Sequence, residues 1–307
     1  MLSYRHAFHA GNAADVLKHL TLVLLLRHLN LKDKPWWFID THAGAGLYAL
    51  DSPQARKNAE FSGGIGRLWA VAGRANLPPP LADYLGLVGQ LNGDGRLRLY
   101  PGSPWFAQAL ARADDRLRLF ELHGSDHRLL AKHFAAADRR LQIRAEDGFA
   151  ALKSLLPPPS RRGLILIDPP YENKADYGRV VAVLDDAWQR FANGIYMVWY
   201  PLLQRREAHK LPERLRRRAP ARWLDVRLAW KAPVRGGFGM HGCGLFIANP
   251  PRTVQEQLAA VLSELTVPLA LDERARHFLQ MGDNASPTTG AEKRIMPDSA
   301  HRGRMDK

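Results

Sequence analysis

Short apolar segments that close on an acid recur along the chain, and few folds accommodate them. WWFID (36–40) runs into the small-residue loop THAGAG, and RLRLFEL (116–122) carries Glu121 ahead of His123-Gly124. LQIRAED (141–147) closes on Asp147-Gly148, GLILIDPPY (163–171) carries Asp168, and GIYMVWYP (194–201) closes on Tyr200-Pro201. Such runs, bounded by turn residues, are the pattern of strands buried on both faces. Helical stretches of suitable length, HRLLAKHFA and YGRVVAVLDDAWQRFA, lie between the later ones. The alternation predicts an α/β fold, a doubly wound parallel sheet with crossover helices. WLDVRLAW (223–230) and GCGLFIANP (242–250) have little helix between them and are expected to close the sheet as an antiparallel pair.

The N-terminal segment predicts a helix opened by Asn12 or Asp15 and carried by ADVLKHLTLVLLLRHL to about Leu29, where Lys34-Pro35 then breaks the pattern. Five apolar residues in a row imply that it is packed on most sides. The stretch from Asp40 to Leu117 is far longer than a βα unit requires. Its last part, SPWFAQALARA (103–113), predicts a helix with Ser103 as N-cap and Pro104 in the first turn. Residues 48–100 are therefore expected to form an inserted helical subdomain. The remaining domain is expected to comprise 1–47 and 101–282, with a disordered polar tail over 283–307.

Composition narrows the function. At 46% hydrophobic and 24% charged, the chain has the make-up of a globular protein. Lys and Arg outnumber Asp and Glu by 44 to 30, a formal charge of +14 that points to a polyanionic partner. Cys243 is the single cysteine, so an intrachain disulfide and a multi-thiolate zinc site are both excluded, and a reducing, cytoplasmic compartment is expected. The apolar run from Leu20 to Leu26 is far too short to span a membrane.

In open α/β sheets, ligands bind outside the carboxyl ends of the strands. Here those ends offer His42, Glu121, Asp147 and Asp168. An acid after the second strand can accept ribose hydroxyls, one after the third an adenine amine, and the glycine loop lets backbone N–H groups approach a ligand. Single acids at strand ends also serve as turn formers. Three acids and a glycine loop in register favour a nucleoside-like ligand. Gly44-Ala45-Gly46 starts like a dinucleotide fingerprint, but the third small position is Ala49, which makes a dinucleotide the weaker choice.

Asp168-Pro169-Pro170-Tyr171 is the most specific signal. Each proline locks its own φ and restricts the residue before it, so the backbone is rigid and extended. Asp168 and the Pro169 carbonyl then offer two acceptors for the two protons of an amine, and Tyr171 offers a flat face for a base. Two acceptors favour a pyramidal nitrogen with an available lone pair. His6, His9 and His19 near the N-terminus lack the pattern of a metal site; His6 and His9 are expected to hydrogen-bond within the fold, and no metal is expected.

This tetrapeptide in this context resembles the amino-methyltransferases that use S-adenosylmethionine on a Rossmann-like fold. MLSYRHAFHAGNAADVLKH, DTHAGAGLY, YPGSP, ELH and SRRGLILIDPPYE together resemble the ribosomal RNA large subunit methyltransferase J family from residue 1 to about residue 250. The resemblance implies a class I S-adenosylmethionine-dependent methyltransferase with a small inserted helical subdomain. It implies methylation of the N6 amine of an adenine in 23S ribosomal RNA, protein-free or in an early assembly intermediate, by a monomeric enzyme. It also implies that His19, His42, Ser103, Glu121, Asp147, Gly148 and Asp168 contact the cofactor. Asp168, with Pro169 and Tyr171, would be catalytic, and Tyr4 would meet the RNA. DNA adenine or a protein glutamine as acceptor, or an RNA-binding protein without catalysis, are the alternatives.

Residues 203–235 hold eleven Lys or Arg against three acids, more than half of the whole excess, and ERLRRRAPARW (213–223) mixes arginine with Trp223. Charge runs are ordinarily solvated helix faces. An imbalance this large instead predicts sequence-independent affinity for RNA.

Overall fold

The computed structural model describes residues 5–73, 76–134, 138–234, 236, 239–285 and 294–295. Its elements run α1 (Ala13–Asn30), β1 (Trp37–Asp40), β2 (Leu47–Ala49), α2 (Pro53–Asn58), α3 (Ile65–Trp69), α4 (Pro79–Leu91), β3 (Leu99–Pro101) and α5 (Ser103–Leu110). They continue through β4 (Arg116–Phe120), α6 (Gly124–His133), β5 (Leu141–Arg144), α7 (Gly148–Leu155), β6 (Gly163–Ile167), α8 (Ala175–Arg190) and β7 (Ile195–Leu202). The chain then forms α9 (Arg206–Arg218), β8 (Arg222–Ala229), β9 (Gly242–Ala248), α10 (Arg252–Leu269), β10 (Arg276–Asp283) and β11 (Arg294–Ile295).

Nine strands form one sheet in the order β11-β10-β8-β9-β7-β6-β1-β4-β5. From β5 to β7 every pairing is parallel, and β9, β8, β10 and β11 add antiparallel pairs beyond β7. The chain leaves β1 toward β4 and β5, then returns to the other side of β1 with β6 and β7. That reversal is the switch point at which the strand ends splay apart and leave room for a ligand. The architecture is Rossmann-like, and β8 and β9 pair antiparallel as expected.

Alternation along the strands sorts the core into two layers. Phe38, Leu117, Leu119, Leu164, Leu166 and Met197 face the side covered by α1, α4, α5 and α10. Ile39, Phe120, Ile165, Ile167, Tyr196 and Val198 face the side covered by α7, α8 and α9. α1 is buried around almost its whole circumference, as the unbroken leucines of its sequence require. Asn12 caps it, its Oδ1 accepting the N–H of Asp15 at 3.0 Å.

Between β2 and β3, an antiparallel pair, the chain forms α2, α3 and α4. Ile65, Leu68, Leu81, Tyr84 and Val88 of this segment belong to the same apolar cluster as α1, so it shares the main core. α5 begins at Ser103, but its N-cap is Gly102 and its last residue Leu110, earlier than Ala113. Ser103 does not cap the helix, because its hydroxyl donates to Asp40 instead, at 2.6 Å. The sequence pattern did not single out β10, which pairs along β8 from Arg276 to Asp283. The tail expected from 283 lies mostly outside the described residues, but Arg294–Ile295 pair with β10. Among the described residues, no helix is long and apolar enough to cross a membrane.

Candidate active site

A cavity of about 320 Å³ opens over the carboxyl ends of β1, β4, β5 and β6, and a pocket of that size suits a small organic ligand. His19, His42, Ser103, Glu121, Asp147, Gly148, Asp168 and Pro169 all line it. Residues spread over 150 positions of sequence thus meet because parallel strands deliver their carboxyl ends to one edge of the sheet.

The loop after β1 turns tightly, with Gly44 and Gly46 at φ +59° and +74°. A Cβ on Gly44 would lie 2.3 Å from the Tyr48 hydroxyl oxygen, so only glycine fits. The N–H groups of Gly44 and Ala45 are not free, contrary to the expectation from sequence. The Gly44 N–H donates to Glu121 Oε2 at 2.8 Å, and the Ala45 N–H donates to the Tyr48 hydroxyl at 3.1 Å. A loop that binds a pyrophosphate needs such N–H groups unpaired. The pocket therefore suits a nucleoside without phosphates rather than a dinucleotide.

Glu121 is fixed from both sides, since its Oε1 also accepts the His123 N–H at 2.6 Å. Burial pushes its carboxyl up, and the two backbone N–H groups oppose that shift. Asp147 caps α7 through the Phe149 N–H at 2.9 Å and pairs with Arg179 at 2.6 Å. Gly148 lets α7 abut the first loop, because a Cβ there would sit 2.3 Å from the Thr41 carbonyl oxygen. His42 packs edge-on against Phe149 at 4.9 Å between ring centroids. Burial pushes its imidazole down to about 4 despite Asp168 and Asp147, so the ring is neutral at physiological pH.

Asp40 lies wholly buried beneath this floor and accepts from Ser103 Oγ and from the His42 N–H. Burial pushes its carboxyl up to about 7, against those two hydrogen bonds. The folded state therefore keeps a proton on Asp40 that the unfolded chain releases near 4, and stability falls as pH rises from about 4 to about 7. Asp40→Asn is expected to flatten that slope, as read from urea midpoints at intervals across that range. An unchanged slope would refute the assignment.

α1 presents a charged face to the cavity that sequence reasoning missed. Lys18 is only 5% exposed, and its Nζ lies 2.8 Å from Asp15 Oδ1 and 2.7 Å from Asp168 Oδ2. Burial pulls the ammonium down, but Asp15 and Asp168 outweigh it and hold the Lys18 pKa well above its usual value. Burial likewise raises Asp15, but His6, whose Nε2 lies at 2.8 Å, and Lys18 hold it well below the usual carboxylate range. The available signal was Asp15 and Lys18 at (i, i+3) in a helix with no polar face for them to occupy. His9 meets Glu60 at 2.8 Å, so His6 and His9 do hydrogen-bond within the fold.

Asp168 thus has Oδ2 held by Lys18, while Oδ1 has no partner among the described residues. Pro169 and Pro170 follow it along the cavity wall. Tyr171 departs from expectation. It adopts φ +53° and turns inward, 2% exposed, with its ring 4.7 Å from Tyr177 and its hydroxyl donating to the Trp199 carbonyl at 2.8 Å. It offers no face to the cavity, because the positive φ points its side chain into the core below α8. Trp199, Leu203 and Met240 line that side instead. Tyr4 lies outside the described residues.

A doubly wound sheet with a nucleoside-sized cavity at its switch point, and a rigid acid-proline pair aimed into it, defines a nucleoside-binding enzyme of the Rossmann-like class. Residues 33–278 match the family described as ribosomal RNA large subunit methyltransferase D, RlmJ. The chain is 45% identical over 262 residues to ribosomal RNA large subunit methyltransferase J of Escherichia coli (strain K12), covering 85% of this chain and 92% of that protein. It is 42% identical over 267 residues to the protein of the same name from Haemophilus influenzae, covering 87% and 93%. The crystal structure of protein LPL1258 from Legionella pneumophila superposes with a TM-score of 0.81 at 36% identity, over 89% of this chain and 98% of that one. The chain belongs to the ribosomal RNA large subunit methyltransferase J family.

Proposed function

We propose that this protein transfers a methyl group from S-adenosylmethionine to the N6 amine of an adenine in 23S ribosomal RNA. The observation that carries the proposal is Asp168: one oxygen is locked by Lys18, the other has no partner among the described residues, and Pro169 follows it on the cavity wall. The cavity suits the methyl donor, a nucleoside without phosphates, because the N–H groups of Gly44 and Ala45 in the glycine loop are already used. Glu121 would hold the ribose hydroxyls, Asp147 and Gly148 the adenine, and His19, His42 and Ser103 the remaining contacts. Once bound, the cofactor supplies an electrophilic methyl on a sulfonium whose leaving group is a neutral thioether.

The chain's own residues do the positioning. Asp168 Oδ1 and the Pro169 carbonyl accept the two amine protons and orient the nitrogen lone pair. Lys18 prevents Asp168 from rotating, so the acceptor is pre-set before substrate arrives. The wall formed by Trp199, Leu203 and Met240 offers apolar surface for a base taken out of its stack.

RNA would be held by α9, which starts three residues after Leu203 at the cavity rim. Part of the basic stretch serves the fold: Arg218 pairs with Asp185, Arg227 with Asp225, and Arg216 with Gln280 and the Trp223 ring. Arg205, Arg206 and Lys210 have no ion-pair partner among the described residues and are exposed. Arg206→Glu with Lys210→Glu is expected to raise the KM for RNA tenfold or more. It is also expected to flatten the log–log salt dependence by about 1.4–1.8, with cofactor affinity unchanged. An unchanged salt slope would place the RNA elsewhere.

The deciding test is transfer from labelled S-adenosylmethionine to protein-free large-subunit ribosomal RNA, followed by digestion to nucleosides. Label is expected in N6-methyladenosine. Label on DNA adenine or on a ribosomal protein, with none on this RNA, would overturn the acceptor. No transfer despite RNA binding would leave an RNA-binding protein without catalysis.

A further inference from the structure

Three groups in a line connect the helical insert to the cavity. The Tyr84 hydroxyl on α4 lies 2.9 Å from the Tyr100 hydroxyl on β3. The Tyr100 hydroxyl lies 2.8 Å from His19 Nδ1 on α1. Tyr84 and Tyr100 are both fully buried and neither lines the cavity, while His19 lines it and is 1% exposed. Phe106 packs on His19 at 5.1 Å and on Tyr84 at 5.7 Å, closing the line off from water.

Counting donors fixes the direction of this line. Among the described residues the Tyr84 hydroxyl has one partner, the Tyr100 oxygen. If the line ran outward from His19, the Tyr84 proton would be buried without an acceptor, an arrangement that burial penalises. Run inward, every proton finds a lone pair: Tyr84 donates to Tyr100, and Tyr100 donates to His19 Nδ1. Burial holds the His19 pKa well below its usual value, so the ring is neutral and carries one proton, which must then sit on Nε2. Ser103, which lines the same cavity, opens α5 with a backbone N–H that has no acceptor among the described residues, while its hydroxyl is spent on Asp40.

We propose that Tyr100 is a positioning residue that fixes His19 with its proton on Nε2. His19 Nε2–H and the Ser103 backbone N–H then take the carboxylate of the cofactor's amino-acid end. The proposal rests on the cofactor reading above and adds the group recognised and the residue that enforces it. Two donors on the wall of one cavity, one of them at the positive end of a helix, suit an anionic acceptor. The amine of the same amino-acid end is a donor and finds no partner there.

The test compares wild type, Tyr100→Phe and Tyr84→Phe by calorimetry with two probes. These are S-adenosylhomocysteine and methylthioadenosine, which keeps the nucleoside and sulfur but has no carboxylate. Nitrogen-15 spectra of His19 report the tautomer. Wild type is expected to show Nδ1 as an unprotonated acceptor and Nε2 as protonated. Tyr100→Phe is expected to lose that signature and bind S-adenosylhomocysteine about tenfold more weakly, as the loss of one hydrogen bond to a charged group implies, with methylthioadenosine binding unchanged. Tyr84→Phe removes the same atom from the same apolar surroundings but leaves Tyr100 donating to His19, so the His19 signature is expected to persist.

A wild-type spectrum with the proton on Nδ1 would overturn the proposal while leaving the cofactor assignment standing. So would equal loss of both probes in Tyr100→Phe. Failure of wild type to bind either probe would overturn the cofactor reading and the proposal with it.

Discussion

Asp168→Ala is expected to lower methyl transfer about a thousandfold or more while the protein stays folded and still binds S-adenosylhomocysteine. The substitution removes the acceptor that orients the amine. It leaves Lys18 paired with Asp15 at 2.8 Å, so no buried charge is stranded. Asp168→Asn sharpens the result. Its carbonyl can keep the Lys18 contact, which turns the amide NH₂ toward the incoming amine and sets donor against donor. Single-turnover transfer, read beside cofactor affinity, checks both variants. Transfer at the wild-type rate in either one would remove Asp168 from the chemistry.

Lys18→Met is expected to be the most destabilising change in the site, by about 3–5 kcal/mol, the range for breaking a buried ion pair from one side. It leaves the Asp15 and Asp168 carboxylates facing each other across an apolar gap. Transfer is also expected to collapse, because Asp168 Oδ2 loses the contact that holds its orientation. Asp15→Asn added to Lys18→Met is expected to recover part of the stability, since it removes one stranded charge, but not the transfer. Urea midpoints and single-turnover rates separate the two effects. A Lys18→Met protein with wild-type stability would show that the pair is open to solvent, contrary to the 5% exposure of Lys18.

The legible part of this protein was local. Apolar runs such as LILI and RLRLF can only be buried strands, and the acids that follow them must lie at the strand ends because the chain turns there. The four strand-end groups His42, Glu121, Asp147 and Asp168 therefore share a cavity as the pattern predicts. Asn12 caps α1 for the same kind of reason, since its side chain needs only a neighbour three residues on. Where the pattern misled, a longer-range demand prevailed. Ser103 gave its hydroxyl to Asp40 rather than to its own helix, because an adjacent strand end placed a buried carboxyl within 2.6 Å. The glycine loop spent the N–H groups of Gly44 and Ala45 on Glu121 and Tyr48.

By itself the sequence determined the order of strands and helices, the acids at the strand ends and the rigid Asp-Pro-Pro turn. These depend on the residues within a few positions of each. Only the tertiary structure decided which groups act together. Lys18 and Asp168 are 150 residues apart, and their pairing exists because α1, packed against α5 and α10, brings Lys18 to the residue that follows β6. Tyr171 turned into the core, although its tetrapeptide gave no sign of it, because φ +53° and the carbonyl of Trp199 gave its hydroxyl a buried partner. Burial then set the charge states, keeping His42 neutral and holding a proton on Asp40 up to about pH 7, since the cost of a charge depends on the dielectric around it and not on the residues beside it in the chain.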